Sequence, residues 1–154
     1  MHILAVDPAT KCGFASSLGA SGTWDCSVRR DESVGMRLIR LRSKLYAIAD
    51  AGKIDLLVYE AARNAMPKMQ GALVTQATLQ GIILAFCEDH KIEYRGYSPT
   101  EIKRHATGKG NSGKDQMLEA AKIKWPNRSF VDDNEVDALW LLDMAQKEYG
   151  VRAS

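Results

Sequence analysis

Two short apolar runs, each closed by a carboxylate, limit what this chain can become. HILAVD lies at the start and ends at Asp7; IDLLVYE lies in the middle and ends at Glu60. Neither alternates apolar with polar residues, so each would have both sides of its pleat covered. That is the pattern of a central strand packed between helices, not of a half-solvated edge. Residues 2–6 and Ile54–Tyr59 are therefore read as central strands, with Asp7 and Glu60 on the rim of the sheet.

The other periodicities fill in the architecture. Asp7-Pro8 and the Ala-Thr-Lys-Cys-Gly stretch after it signal a turn. Residues 13–18 and 22–29 read as a second and third strand, joined closely enough for an antiparallel meander. Val34, Leu38, Leu41, Leu45 and Ile48 recur at helical spacing up to a stop at Ala51-Gly52. This helix is long enough to carry a parallel crossover back to the first strand. Residues 61–70 are irregular around Pro67, 71–89 read as a long helix rich in small and apolar residues, and Ile92–Tyr97 as a fifth strand. Ser98-Pro99-Thr100-Glu101 marks a helix start, residues 114–124 a further helix, and 133–149 the last, opened by Asp132 with Glu135 three residues on. The expectation is an α/β fold in one domain over 1–154: a five-stranded mixed sheet flanked by helices.

Composition excludes several alternatives. There is no low-complexity tract or 20–50-residue repeat, and no run of roughly 18 consecutive apolar residues of the kind that spans a bilayer, so no membrane partner is expected. Cys12, Cys26 and Cys87 form no CxxC pair, and their odd number argues against a disulfide framework; reduced thiols in a cytoplasmic protein are expected. His2, His90 and His105 have no zinc spacing and are read as structural or surface residues. The net charge of +2 is small, but it is unevenly spread. Residues 101–128 hold seven basic against three acidic residues, and residues 29–44 six against two, so each segment carries +4. Basic segments beside a carboxylate cluster would attract phosphate; alternatively they are solvated helix faces.

The acids carry the chemistry. Asp133 and Asp137 lie four apart at the start of the last helix and so share a face. With Asp7 and Glu60 they would converge from two strand ends and one helix. Converging carboxylates repel unless cations sit between them. An all-oxygen donor set without His or Cys selects Mg²⁺, with Mn²⁺ as a substitute, over zinc.

This order of elements and acids resembles the RNase H-like nucleases, and within them the RuvC family of Holliday junction resolvases, including phage-type members. The resemblance rests on LAVDPATKCGFA, LLVYE, SPTEIKRHATGKGNSGKDQM and DDNEVDALWL, and covers nearly the whole chain. It implies an RNase H-like fold and two metal ions per site. Asp7 would bridge the ions, Glu60 would bind one and Asp137 would complete the site. The activity implied is symmetric hydrolysis of four-way junctions, and of other branched DNA, leaving 5′ phosphates. Resembling enzymes often carry an acid or His three residues before the last Asp, where this chain has Asn134; a spacing of four selects Asp133. A carboxylate is the better Mg²⁺ ligand, so Asp133 is preferred, with Asn134 the alternative.

The glycine-rich loop with Lys109 and Lys114 resembles a phosphate loop only loosely, because no Ser or Thr follows Lys114. The family resemblance makes it a DNA-backbone loop instead. Lys114 would lie near the scissile phosphate, Lys103 on the preceding helix, and Asn111 and Ser112 would donate hydrogen bonds. After Glu60, relatives carry an apolar or aromatic probe of the junction centre. Here AARNAMPKMQ has no aromatic residue, leaving Met66 or Met69 as a wedge and Arg63 as a phosphate contact. Two symmetric cuts suit a two-fold homodimer, for which helix 71–89 is the implied interface. Two other readings remain: a junction-binding module without catalysis, and an RNA nuclease of the related YqgF type.

Overall fold

The computed structural model describes residues 1–62 and 70–150. Five strands form one sheet: β1 (Ile3–Asp7), β2 (Lys11–Ser16), β3 (Ser21–Asp25), β4 (Leu56–Glu60) and β5 (Glu93–Tyr97). Their order across the sheet is β3-β2-β1-β4-β5. β1, β2 and β3 form the antiparallel meander, whereas β4 pairs parallel to β1 and β5 parallel to β4. The helices are α1 (Gly35–Ala51), α2 (Gln70–His90), α3 (Pro99–Thr107), α4 (Lys114–Lys124) and α5 (Asp133–Glu148). The expected mixed α/β sheet is present, and its two apolar runs occupy the centre.

The pleat of β1 explains why that run tolerates no polar residue. Ile3 and Ala5 face a core built with α3, α4 and α5, whereas Leu4 and Val6 face a second core built with α1 and α2. All four are fully buried. β4 divides the same way, with Leu56 and Val58 on the α5 side and Leu57 and Tyr59 on the α1–α2 side. Fully burying such a side chain contributes roughly 1.5–3 kcal/mol, and a one-residue slip would exchange every partner.

Three strands depart from the periodicity by two residues or more at an end. β2 runs Lys11–Ser16 rather than 13–18. It starts earlier because Lys11 pairs with Asp25 across the ladder at 2.8 Å, and it stops at a turn in which the Gly19 N–H donates to the Ser16 carbonyl. β3 ends at Asp25 rather than 29, because the Asp25 carboxylate accepts the Ser27 N–H at 2.9 Å and draws the chain out of the ladder. β4 begins at Leu56, two residues later than expected, since the Asp55 and Leu56 N–H groups both donate to the His2 carbonyl where the strand starts.

The helix starts follow their signals. Ser98 caps α3 in a reciprocal pair with Glu101, Pro99 is its first residue, and Gly108 closes it in the left-handed conformation at φ +84°. Asp132 caps α5 by accepting the Glu135 N–H at 3.0 Å. Glu135 reaches one residue further back than a capping box would, to the Val131 N–H.

Over Gly71–His90, α2 is long and apolar enough to cross a membrane by length and composition alone, with mean hydropathy 1.3. Expecting no such segment from uninterrupted runs alone was too strict. Its Leu79, Ile83, Phe86 and Cys87 are buried in the α1–α2 core, whereas Val74 is exposed. His2 and the three cysteines are buried, and the thiols are free.

Candidate active site

The site is built on one transverse row of the sheet. Thr23 pairs with Gly13, Gly13 with Asp7, and Glu60 with Tyr97. Val6 pairs with Tyr59, which brings Asp7 beside Glu60 in the parallel β1–β4 ladder. Cross-strand partners project from the same face, so these side chains stand beneath α5. Asp7 is buried, and Glu60 is half-buried at the strand end. Asp137, one turn into α5, faces them. Asp7, Glu60 and Asp137 line a single cleft of about 470 Å³ with Lys103, Lys114 and Ser112. A neighbouring hollow is lined by Asp133, Asp137, Lys114 and Phe130, so Asp137 and Lys114 lie where the two meet.

The electrostatics are those of crowded acids. Burial pushes Asp7 well above the ordinary carboxylate range. The charge of Glu60, its hydrogen bond to Asp7, and the charge of Asp137 push in the same direction. Asp137 is raised to about 7, first by burial and then by Glu60 and Asp133, with Lys114 and Lys103 opposing. Lys114 Nζ lies 3.1 Å from the Asp133 carboxylate, an ion pair open to solvent. Among the described residues, no three acidic, His or Cys side chains converge closely enough to close a metal cage. Asp7 and Glu60 nevertheless stand side by side at the ends of paired strands, and the charges of Glu60 and Asp137 both raise Asp7. A cleft whose acidic donors are all carboxylates fits a hard cation such as Mg²⁺ or Mn²⁺.

No family model matches the sequence. The crossover junction endodeoxyribonuclease RuvC of Anaeromyxobacter sp. (strain K) is 31% identical over 163 aligned positions, covering 100% of this chain and 86% of that protein. The chain belongs to the RuvC family. A second RuvC, from Anaeromyxobacter dehalogenans (strain 2CP-1 / ATCC BAA-258), matches at 31% over the same spans. Among solved structures, Thermus thermophilus RuvC in complex with a Holliday junction substrate superposes with a TM-score of 0.75. It covers 98% of this chain and 95% of that one at 14% identity, a likeness of fold.

Of the residues singled out from the sequence, Asp7, Glu60, Asp137, Lys103 and Lys114 share the main cleft. Asp133 is exposed beside it, tied to Lys114. Asn134 lines neither hollow. Lys109 lies outside the cleft, beside Gln116 and Trp140, and Asn111 is exposed on the loop. Ser112 lines the cleft, yet its hydroxyl is engaged inside the loop with Thr107 and with the Lys109 carbonyl at 2.7 Å. Arg63, Met66 and Met69 lie outside the described residues. In the other basic segment, Arg40 is committed to Glu32 at 2.5 Å and to the Ser27 carbonyl.

One residue went unrecognised in the sequence. Gly13, read only as the first residue of the second strand, is in β2 next to Asp7. A Cβ there would lie 1.9 Å from the Asn134 carbonyl oxygen. Only glycine lets the first turn of α5 rest on the sheet this closely. The signal was available, since a glycine just before the apolar stretch FASSL can mark a close backbone approach.

Proposed function

We propose that this RuvC-family protein is a metal-dependent, structure-selective DNA endonuclease that resolves four-way junctions. The observation that carries the reading is the convergence of Asp7, Glu60 and Asp137 on one cleft flanked by Lys103 and Lys114. The relatives are named crossover junction endodeoxyribonucleases, and one solved relative holds a Holliday junction substrate.

Asp7, Glu60 and Asp137 would hold two Mg²⁺ ions, with Asp133 as the fourth carboxylate and Mn²⁺ as a substitute. Bound there, the pair of ions would activate a water and stabilise the leaving 3′ oxygen, so that the product carries a 5′ phosphate. The protein residues supply placement and charge. Asp7 and Glu60 are fixed by the β1–β4 ladder, and Asp137 by its helix. Lys114 offers a point charge to the scissile phosphate, exchanging Asp133 for it, and Lys103 does the same from the facing helix. Lys109 and Asn111, outside the cleft, would follow the flanking backbone, Arg63 would contact phosphates or stack, and Met66 or Met69 would act as a wedge at the junction centre. The exposed apolar part of α2 fits the face of a homodimer, which would place two sites symmetrically on the junction. Three reduced, buried thiols are compatible with action in the cytoplasm of a bacterial or phage-infected cell.

The test is cleavage of a labelled four-way junction with Mg²⁺, beside linear duplex and the Asp7→Asn protein. Paired symmetric nicks that vanish in the variant are expected. Tight binding without cleavage would favour the junction-binding module, and preferential cleavage of RNA would favour the YqgF-type activity.

A further inference from the structure

α5 brings Asp133 and Asp137 to the cleft, yet its first turn is held chiefly from the far edge of the sheet. The Thr23 hydroxyl of β3 donates to the Asp132 carboxylate at 2.6 Å, and that same oxygen accepts the Glu135 N–H at 3.0 Å. The Ser21 hydroxyl donates to Glu135 at 2.8 Å, while the other Glu135 oxygen accepts the Val131 N–H at 2.7 Å. Arg128 donates to the Ser21 oxygen at 2.7 Å. Glu135 is only 4% exposed, so its charge is satisfied by these hydroxyl and backbone donors.

Two hydroxyls spaced two apart on one strand thus grip two carboxylates spaced three apart across a helix start. Gly13 lies between the grip and Asp7 in the same row, with the Asn134 backbone seated on it. Neither Thr23 nor Ser21 lines the acidic cleft. A cap alone needs only Asp132, whereas β3 reaches both Asp132 and Glu135.

We infer that Thr23 and Ser21, acting through Asp132 and Glu135, are positioning residues that set the metal-binding geometry of α5. The inference rests on the metal-dependent reading above. Groups that orient metal ligands from behind change metal affinity about 10- to 100-fold when removed.

The experiment is Mn²⁺ titration by calorimetry of the whole protein, well below its melting temperature. Wild type, Thr23→Val, Thr23→Ser and Ser21→Ala are compared, with junction nicking recorded in parallel. Thr23→Val is expected to weaken Mn²⁺ binding about 10-fold, Ser21→Ala to weaken it in the same direction, and Thr23→Ser to restore it. Val and Ala variants that fold, lose stability and still bind Mn²⁺ within about twofold of wild type would overturn the inference and leave the nuclease reading intact. Should Thr23→Val fail to fold, Ser21→Ala carries the same comparison. A wild-type protein that neither binds Mn²⁺ nor nicks a junction would overturn the nuclease reading, and the positioning role with it.

Discussion

Replacing Gly13 with Ala tests the link between the sheet and the last helix. The new methyl carbon would meet the Asn134 carbonyl oxygen at 1.9 Å, its carbon at 2.6 Å and its Cα at 3.3 Å. All three are backbone atoms, so no side chain can swing aside. Bringing the closest contact out to 3.4 Å requires a movement of about 1.5 Å. The helix start must lift, because β2 is fixed between β1 and β3. Lifting strains the Thr23–Asp132 bond of 2.6 Å and draws Asp137 away from Asp7. Overpacking of this kind costs about 1–3 kcal/mol, and a misplacement of about 1 Å at a reacting site costs on the order of 100-fold in rate. The assays are urea unfolding and single-turnover junction nicking at saturating Mg²⁺, at a temperature where the variant is folded. Gly35→Ala, whose added carbon meets nothing within 4 Å, is the control and should be neutral in both. A Gly13→Ala protein with wild-type stability and nicking within about threefold of wild type would refute the reasoning, since a 1 Å shift predicts far more.

Other perturbations separate the remaining roles. Asp137 has a folded-state pKa raised to about 7, so the folded protein takes up a proton that the unfolded chain releases near the ordinary carboxylate value; the stability difference is absent below about pH 4 and becomes a growing penalty up to pH 7. Asp137→Asn should therefore raise metal-free stability at pH 7.5 by on the order of 1–3 kcal/mol, with no gain at pH 4, while abolishing nicking; equal urea midpoints at both pH values would contradict this. Asp133→Asn should reduce nicking more than Asn134→Ala, measured at limiting Mg²⁺, because Asp133 lines the same hollow as Asp137 whereas Asn134 lines neither hollow; the reverse order would make Asn134 the fourth ligand. Lys103→Met should lower the salt dependence of junction binding in EDTA by about one ion release, and an unchanged slope would remove its phosphate contact.

The parts of this site that were legible in the sequence are those governed by short-range rules. An apolar run ending in a carboxylate reports a central strand and its rim, so Asp7 and Glu60 were recognisable without knowing their neighbours. Ser98 with Glu101, and Asp132 before α5, announce helix starts through local hydrogen bonds. What the sequence concealed depends on contacts between distant segments. Gly13 and Asn134 are far apart in the chain, and the reason for the glycine exists only once α5 lies on β2. Thr23 and Ser21 look like ordinary polar residues of an edge strand until Asp132 and Glu135 arrive more than 100 residues later. The end of β3 was misread because periodicity carries no information about Asp25 bonding to Ser27, a local bond that competes with the ladder.

The central claim is that Asp7, Glu60 and Asp137 together hold divalent cations. Anomalous diffraction from crystals soaked in Mn²⁺ tests it most directly. The account predicts two peaks about 4 Å apart within reach of these three carboxylates, and loss of both in Asp7→Asn. A Mn²⁺-saturated crystal with no peak in that cleft would contradict it.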